Sequence, residues 1–387
     1  MRSHLPSMGR TFPAAHGPTC GPRLGRVVYW VETHSHGRRD DKMRAAYIEQ
    51  YGGTENILVG ERPDPQPGAG EVLLDVKAAA LNHLDVWVRI GRGGDSVPRP
   101  HVLGSDAAGV VAELGHGVDH LELGQEVVLN PGFSCRRCAA CRRGQQSECE
   151  EFGLVGFQRP GTYAEKVTVP ATSVYPKPAS LSFGEAAALA LAHVTAWRML
   201  MHRAKLRPGE TVLIHGIGGG VAMAGLQTAR LIGARAIVTS SSDGKLEAAA
   251  KMGAEHGINY ERTEDVAAKV RDLTDGRGVD VALDAVGAAT WPIDLEAVRK
   301  AGRVVICGVT TGAEATTNLQ AVYWNQLSLL GSTMGSDEDF REMLAAVEAT
   351  GLKPVIDRTY PLDQVREATD RMERGEQMGK LVIEVAK

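Results

Sequence analysis

Short apolar runs alternate with helical patterns between residues 211 and 331. The first run, Thr211–Ile214, leads into four glycines among five residues, and an amphipathic helical pattern follows at once. Further apolar runs occupy residues 236–238, 279–284, 304–307 and 327–330. Strands that alternate with helices in this way are typical of a parallel sheet covered on both faces. The pattern predicts a doubly wound, Rossmann-type α/β domain.

A glycine-rich turn joins the first of these strands to the first helix. The spacing resembles a dinucleotide-binding fingerprint, with Gly216, Gly219 and Ala222 in the three small-residue positions. Small residues are needed there because a side chain would keep a phosphate away from the amides at the helix N-terminus. A glycine-rich turn alone also marks ordinary loops, but its position in the α/β pattern favours a cofactor site. The candidate residues at this turn are Gly216, Gly218, Gly219, Gly220 and Val221.

The rest of the chain reads as a second, β-rich domain with a tail. Short apolar runs broken by Gly, Pro and Asp predict a barrel-like organisation, and they lie at 71–76, 109–114, 126–129 and 164–169. Helical patterns cover 183–201 and 337–350, and short strands follow at 354–360 and 381–385. We therefore predict a disordered extension (1–42), a β domain (43–172), the α/β domain (173–348) and a C-terminal return to the β domain (349–387).

Composition narrows the class of function. The 387 residues carry a net charge of −4 without an obvious single-sign face, which argues against nucleic acid as the main partner. Because no apolar run reaches the length of a membrane span, we expect a soluble protein, which we place in the cytoplasm. We expect a small molecule as its partner, rather than nucleic acid or a membrane. The first thirty residues contain arginines and no acid, but they lack the pattern of a targeting peptide.

Four of the six cysteines fall within residues 135–149. Cys135, Cys138, Cys141 and Cys149 have the spacing C-x2-C-x2-C-x7-C. Four thiolates satisfy tetrahedral Zn²⁺ with no open position, so the spacing predicts a structural zinc lobe in a reducing compartment. An iron–sulfur cluster fits the spacing of the first three cysteines but not the spacing to the fourth, and disulfide pairing is the remaining alternative.

Several motifs resemble those of the medium-chain dehydrogenase/reductase superfamily. Besides the cysteine lobe and the glycine-rich turn, they are Ala-Leu-Asn-His-Leu-Asp (80–85), Leu-Gly-Ser-Asp-Ala-Ala-Gly (103–109), Gly-Thr-Tyr-Ala-Glu (161–165) and Leu-Gly-Ser (330–332). The resemblance spans residues 43–387. It implies a GroES-like β-barrel domain that is interrupted by the Rossmann domain, an active site in the cleft between them, and a homodimer or homotetramer.

The resemblance also implies that a catalytic zinc is missing. Zinc alcohol dehydrogenases of the superfamily hold this metal with a cysteine, a His-Glu pair and a second cysteine or aspartate. The matching residues here are Asn82, Ser105, Asp106 and Leu191, which lack the soft ligands that Zn²⁺ prefers. The Asn-x-x-Asp pattern from Asn82 to Asp85 is similar to the zinc-free quinone and enoyl reductases instead, which implies an NADPH-dependent enone, enoyl or quinone reductase.

Two other functions stay open at this point. The first is a zinc-dependent alcohol dehydrogenase, or an aldehyde or ketone reductase, in which Asp106 binds a divergent metal together with His101 or His193. The second is a protein that binds NADPH without catalysis. Zinc content and a panel of reducible substrates distinguish the three hypotheses.

NADP(H) is the favoured nicotinamide cofactor. The second strand ends in serines rather than the carboxylate that binds the ribose of NAD, and Lys245 follows. Hydroxyls and an ammonium suit a 2′-phosphate, so Ser240, Ser241 and Lys245 are the candidate residues. Tyr260 matches a position that lies beside this phosphate in NADP-dependent members of the superfamily. The alternative is that Asp243 selects NAD.

Without a catalytic zinc, hydrogen-bond donors must stabilise the charge that develops on the substrate oxygen. Asn82 and Thr195 are the main candidates, with His193 and Tyr47 less supported. Asp85 is equally compatible with a catalytic role and with a structural acceptor. The apolar helical pattern around His193 favours a buried core residue over a catalytic one. By superfamily position, Asn82, Asp85 and Thr195 lie at the nicotinamide end, and the backbone groups there come from Gly308 and Val309. Asp284, at a strand end, completes the predicted cofactor residues.

Overall fold

A computed structural model describes residues 41–92 and 97–385. The predicted N-terminal extension, 1–42, therefore lies outside the described residues except for its last two, and Lys42 begins the first strand. No described helix is both long enough and apolar enough to cross a bilayer.

Residues 41–92 and 97–176 contribute strands and two short α-helices. The strands are β1 (Lys42–Ile48), β2 (Ile57–Pro63), β3 (Glu71–Ala80), β4 (His101–Val102), β5 (Asp106–Leu114), β6 (Glu126–Leu129), β7 (Gly132–Phe133), β8 (Gly153–Leu154), β9 (Lys166–Pro170) and β10 (Val174–Pro176). The helices are α1 (His83–Arg89) and α2 (Ala139–Arg142). The predicted runs at 71–76 and 109–114 are confirmed as parts of longer strands, whereas β1, β2 and α1 were not predicted.

The second part of the chain alternates strands and helices. After α3 (Phe183–Trp197) come β11 (Thr211–Ile214), α4 (Gly220–Ile232), β12 (Arg235–Ser240), α5 (Asp243–Lys251), β13 (His256–Asn259), α6 (Val266–Asp272), β14 (Val279–Asp284), α7 (Trp291–Ala297), β15 (Val298–Ile306), α8 (Leu319–Trp324) and β16 (Ser328–Gly331). Strands β11–β16 form a six-stranded parallel sheet in the order β13-β12-β11-β14-β15-β16. The predicted doubly wound α/β sheet is thus confirmed.

The C-terminal elements pair with strands from the beginning of the chain. They are α9 (Asp337–Thr350), β17 (Ile356–Pro361), α10 (Val365–Glu373) and β18 (Lys380–Glu384). Strand β18 pairs with β3 in antiparallel fashion and with β17 in parallel fashion, so both join a sheet in the order β10-β6-β5-β3-β18-β17, to which β9 adds through β3. Residues far apart in sequence therefore meet at the end of β3.

Helix α3 ends differently from the sequence prediction. Ser182 and Glu185 form a capping box at its start, as expected for a helix beginning at residue 183. The predicted helix continued to residue 201, but the α-helix stops at Trp197 and Arg198–Arg203 form a π-helix. The amide of Ala204 donates to the carbonyl of Met199 at 2.8 Å, which is the five-residue spacing of a π turn.

Candidate functional site

The glycine-rich turn has the geometry of a phosphate site. Gly216 has a φ of +66°, which favours glycine. Helix α4 begins after Gly219 with no side chain capping its first amides. A Cβ at Gly218 would lie 2.9 Å from Lys245 Nζ, and one at Gly220 would lie 3.0 Å from Lys380 Cδ. The uncapped amides and the Lys245 ammonium suit a bound pyrophosphate, so the residues fit a dinucleotide.

A buried polar cluster fixes the start of this turn. His215 Nε2 donates to Asp294 Oδ1 at 2.9 Å, and His215 Nδ1 lies 3.2 Å from Thr239 Oγ1. Burial lowers the pKa of His215, but the neighbouring Asp294 carboxylate outweighs it and the net pKa is raised. Asp284, predicted to touch the cofactor, is fully buried and accepts two amides and one hydroxyl of the turn that follows it.

The end of β12 carries the predicted phosphate-selective residues. Ser240 is buried and its Oγ accepts the amide of Ser242 at 3.1 Å, whereas Ser241 is exposed. Lys245 Nζ donates to the carbonyl of Gly375 at 2.5 Å, which holds the ammonium beside the turn. Tyr260 is 47% exposed and free to contact a ligand.

The acid nearest to these serines is already engaged. Asp243 accepts the amide nitrogen of Asn259 at 2.6 Å and pairs with Arg262 at 2.6 Å. Sequence reasoning missed Arg262, a second cation beside the predicted 2′-phosphate position. The Asp243 carboxylate is thus held by Asn259 and Arg262, one on each oxygen.

A buried ammonium occupies the neighbourhood of the catalytic zinc position. Lys380 Nζ donates to Asp106 Oδ2 at 3.0 Å, to Asn82 Oδ1 at 2.6 Å and to the carbonyl of Leu81 at 2.6 Å. Asn82 Nδ2 donates to Asp106 Oδ2 at 2.8 Å, and the amide of Leu191 donates to Asp106 Oδ1 at 2.9 Å. All three ammonium protons and both oxygens of Asp106 are thus used within the protein.

These residues do not fit a catalytic metal. His101 Nε2 donates to the carbonyl of Gly156 at 3.0 Å, and His193 Nε2 donates to Gln227 Oε1 at 3.0 Å. Burial lowers the pKa of His193 to about 4, so its ring is neutral at physiological pH. Neither histidine joins Asp106 in a metal-binding group among the described residues, and Asp106 already carries the ammonium. The divergent metal site therefore lacks an assembled ligand set.

Asp85 and Thr195 are both tied to the protein. The Asp85 carboxylate accepts the backbone amide of Asn82 at 2.8 Å and the hydroxyl of Tyr163 at 2.6 Å, both on Oδ2, while Oδ1 is buried without a partner. Burial raises the pKa of Asp85 to about 6, although the two hydrogen bonds lower it. Thr195 Oγ1 donates to the carbonyl of Leu191 at 2.7 Å.

A cavity of about 440 Å³ opens beside the C-terminal ends of β15 and β16. Its size falls in the range of small-molecule sites, roughly 300–1,000 Å³. It includes the predicted Gly308 and Val309, but Asn82, Asp85, His193 and Thr195 are not among its lining residues. The lining residues that sequence reasoning missed are Trp87, Ser147, Glu148, Arg198, Arg203, Ile306, Cys307, Gly331, Ser332 and Thr333. Burial raises the pKa of the Cys307 thiol to about 12, so this thiol stays protonated.

The four cysteines converge as their spacing predicts. The Sγ atoms of Cys135, Cys138, Cys141 and Cys149 all lie within 4.8 Å of one another, and no other metal-binding group of this kind occurs in the described residues. Cys138 is the N-cap of α2, where its Sγ accepts the amide of Cys141. Four converging thiols with amide donors to sulfur fit a structural Zn²⁺.

The chain is similar in sequence and structure to known dehydrogenases and reductases. The family model for zinc-binding dehydrogenases matches residues 220–349, and the model for the alcohol dehydrogenase GroES-like domain matches residues 68–179. A zinc-type alcohol dehydrogenase-like protein of Schizosaccharomyces pombe is 33% identical over 350 residues, covering 89% of this chain and 99% of its own. A quinone oxidoreductase of Rattus norvegicus is 29% identical, covering 88% of this chain and 97% of its own. A solved NAD-dependent alcohol dehydrogenase is 43% identical with a TM-score of 0.85, covering 89% of this chain and 100% of its own.

The buried ion pair generates a stability prediction. Lys380→Met leaves Asp106 charged and without its cation in the interior, so we expect the free energy of unfolding to fall by about 3–5 kcal/mol. Urea denaturation in zinc-containing buffer measures this. Lys353→Met, which removes an exposed partner of Glu185, is the matched control and should cost at most about 1 kcal/mol. Adding Asp106→Asn to Lys380→Met should restore part of the loss; equal costs for the two lysine variants would contradict the assignment.

Proposed function

Because the chain belongs to the medium-chain dehydrogenase/reductase superfamily and is an NAD(P)H-dependent oxidoreductase, we propose that it reduces an activated C=C bond or a quinone without a catalytic zinc. The observation that carries this proposal is the Lys380 ammonium bonded to Asp106 and Asn82. A zinc-dependent alcohol dehydrogenase with a divergent metal site is the alternative, and the names of both classes occur among the relatives.

The choice of reaction follows from the need for electrophilic help. Reduction of a simple ketone concentrates negative charge on one oxygen next to the reacting carbon, which a metal or strong donor must stabilise. In an enone or a quinone the charge is delocalised onto a more distant oxygen, so weaker donors suffice. Asn82, Asp106 and Leu191 supply no soft ligand, which supports the second kind of substrate.

NADPH supplies the hydride when it is bound. We propose that Gly216, Gly218, Gly219, Gly220 and Val221 hold its pyrophosphate, and that the backbones of Gly308 and Val309 orient its carboxamide. Both proposals are supported by the uncapped start of α4 and by the cavity next to β15. A fixed carboxamide sets the face of the ring toward the substrate, which is the positioning that hydride transfer needs.

The proposed catalytic groups differ in how far their polar atoms are already hydrogen-bonded within the protein. Asp85 has a pKa near 6 and an unpartnered oxygen, which supports a part in proton movement near neutral pH. Asn82 and Thr195 are proposed as donors at the nicotinamide end, although their hydrogen bonds to Asp106 and Leu191 must first loosen. His193 is the weakest candidate because its Nε2 is engaged by Gln227.

The preference for NADP(H) is supported by the charges at the end of β12. Lys245 and Arg262 are cations next to the serines, and Asp243 is taken up by Arg262 and Asn259. A 2′-phosphate would meet hydroxyls and cations there rather than a free carboxylate. We also propose a reducing compartment such as the cytoplasm, because the four thiols need one to hold a metal.

We propose that two copies associate through the α8 and β16 edge. Strand β16 ends the parallel sheet, so its outer backbone groups have no strand partner among the described residues. Leu319, Tyr323 and Trp324 on α8 are 74%, 65% and 69% exposed. A second copy can pair with the same edge and cover these side chains through a two-fold axis, giving a homodimer or half of a homotetramer.

The reaction is tested by a substrate panel with zinc measured on the same sample. We expect NADPH oxidation with enones or quinones that is insensitive to chelators, and about one zinc per chain. Cys138→Ser should lose that zinc, whereas Cys307→Ser should keep it. Two zinc ions per chain with chelator-sensitive alcohol oxidation would establish the alternative. Tight NADPH binding with no turnover of any substrate would favour a non-catalytic role.

Cofactor preference is tested by Ser240→Asp. The new carboxylate should repel the 2′-phosphate and bond the ribose hydroxyls, so the ratio of kcat/KM for NADPH over NADH should fall at least about tenfold. Ser180→Asp, at an exposed position remote from the turn, changes the net charge equally and should leave the ratio unchanged. If the ratio stays put in Ser240→Asp, the pocket assignment is wrong.

Association is tested by Trp324→Glu, which places a charge on the exposed apolar face. In sedimentation velocity we expect the wild type to be dimeric or larger and the variant to shift toward monomer at the same concentration. Leu123→Glu is the control, since Leu123 is 65% exposed and lies between β5 and β6. A monomeric wild type, or an equal shift in both variants, would refute the interface.

A further inference from the structure

Arg203 lines the cavity of about 440 Å³ beside β15 and β16, and its guanidinium lacks a partner for its charge. Arg203 is half-buried, and its Nε donates to the carbonyl of Gly331 at 2.9 Å. Within residues 41–92 and 97–385, its two terminal nitrogens have no hydrogen bond and its charge has no ion pair. Arg198 lines the same cavity but is saturated, since it donates to Asp339 at 2.8 Å and to Gln145 at 3.0 Å.

The π-helix accounts for the position of Arg203. Arg198 and Arg203 are its first and last residues. In an α-helix, side chains five residues apart point about 140° away from each other. In a π turn, residues five apart are hydrogen-bonded neighbours and lie on the same side. The π turn therefore brings both arginines to the same side, where they line the cavity.

A second cavity adjoins Arg198 and Arg203. A cavity of about 390 Å³ shares Arg198 and Arg203 with the first and is also lined by Lys205. Lys205 is exposed and has no ion pair among the described residues, whereas His202 is engaged by Asp339 and Glu342. The unpaired charge at this end of the cleft comes from Arg203 and Lys205.

Two further groups at the cavity bear on what binds there. Ser332 Oγ is buried and without a hydrogen-bond partner, and Ser332 follows the Gly331 that anchors Arg203. Glu148 also lines the cavity, but its carboxylate faces Arg198 at 3.4 Å and Arg143 at 3.6 Å. Glu148 is therefore paired with Arg198 and Arg143, and it does not neutralise the charge of Arg203.

We propose that the substrate carries an oxyanion, a carboxylate or a phosphate, and that Arg203 binds it with its two terminal nitrogens. This inference rests on the proposed reductase function, because it places the reducible group of the same molecule near Gly308 and Val309. A guanidinium fork matches two oxygens of a carboxylate or phosphate, and Lys205 adds attraction at the mouth. Arg203 is then the residue that determines substrate specificity.

Binding is tested by isothermal titration with 4-oxopent-2-enoate and with its methyl ester, which share an enone and differ in charge. We expect the acid to bind the wild type on the order of 10–100-fold more tightly than the ester, and Arg203→Met to abolish the difference. Arg207→Met removes an exposed arginine that does not line either cavity and should preserve the difference. A parallel titration with crotonyl-CoA and crotonyl-pantetheine asks whether the oxyanion is a carrier phosphate instead.

The outcomes separate this inference from the proposed reaction. The inference is supported if the charged member of either pair binds more tightly and Arg203→Met removes that difference. This holds even if no NADPH is oxidised, and in that case only the proposed reductase function fails. Equal binding within both pairs, absence of binding at millimolar concentration, or unchanged discrimination in Arg203→Met would overturn it. If Arg203→Met lowers kcat equally for acid and ester, Arg203 acts on the shared carbonyl and not on a substrate oxyanion.

Discussion

The buried pairing of Lys380 with Asp106 is the constraint that joins the separate parts of this chain. Lys380 begins the last strand, Asp106 begins a strand almost three hundred residues earlier, and Asn82 caps the helix after β3. The same carboxylate accepts the amide of Leu191 in α3, and the lysine stem passes Gly220 at the start of α4. Lys380 thus ties the C-terminal strand to β5 and to the start of α1, and its stem packs beside the glycine-rich turn.

Burying such a pair is expensive, since both charges lose their hydration. The structure offsets this cost with complete hydrogen bonding: three acceptors surround the ammonium and three donors surround the carboxylate. Loss of either partner leaves the other charge stranded, which is why the effect on stability should greatly exceed that of a surface pair. Asp106 Oδ2 accepts two of these donors and Oδ1 accepts the third, so both oxygens are already engaged within the protein.

The features that depend on local residue spacing could be predicted from the sequence. The parallel α/β sheet follows from apolar runs separated by helical patterns, and the cysteine cluster follows from four thiols within fifteen positions. The absence of soft ligands at Asn82, Ser105 and Leu191 was also readable. Lys380 was not predicted, because nothing in its neighbourhood reveals that it meets residues 82 and 106. The π-helix was missed because an apolar helical pattern does not distinguish a four-residue from a five-residue hydrogen bond.

Lys380 and Arg203 have different electrostatic roles. Lys380 is saturated by Leu81, Asn82 and Asp106, so it cannot also stabilise charge on a substrate, and its contribution is to position the residues around it. The two terminal nitrogens of Arg203 have no hydrogen bond within the described residues, and Arg203 lines the cavity, so its charge is available to a ligand. Under the proposed function, the charge of Arg203 would select substrates that carry an oxyanion, while the conjugation of the substrate would provide the reactivity.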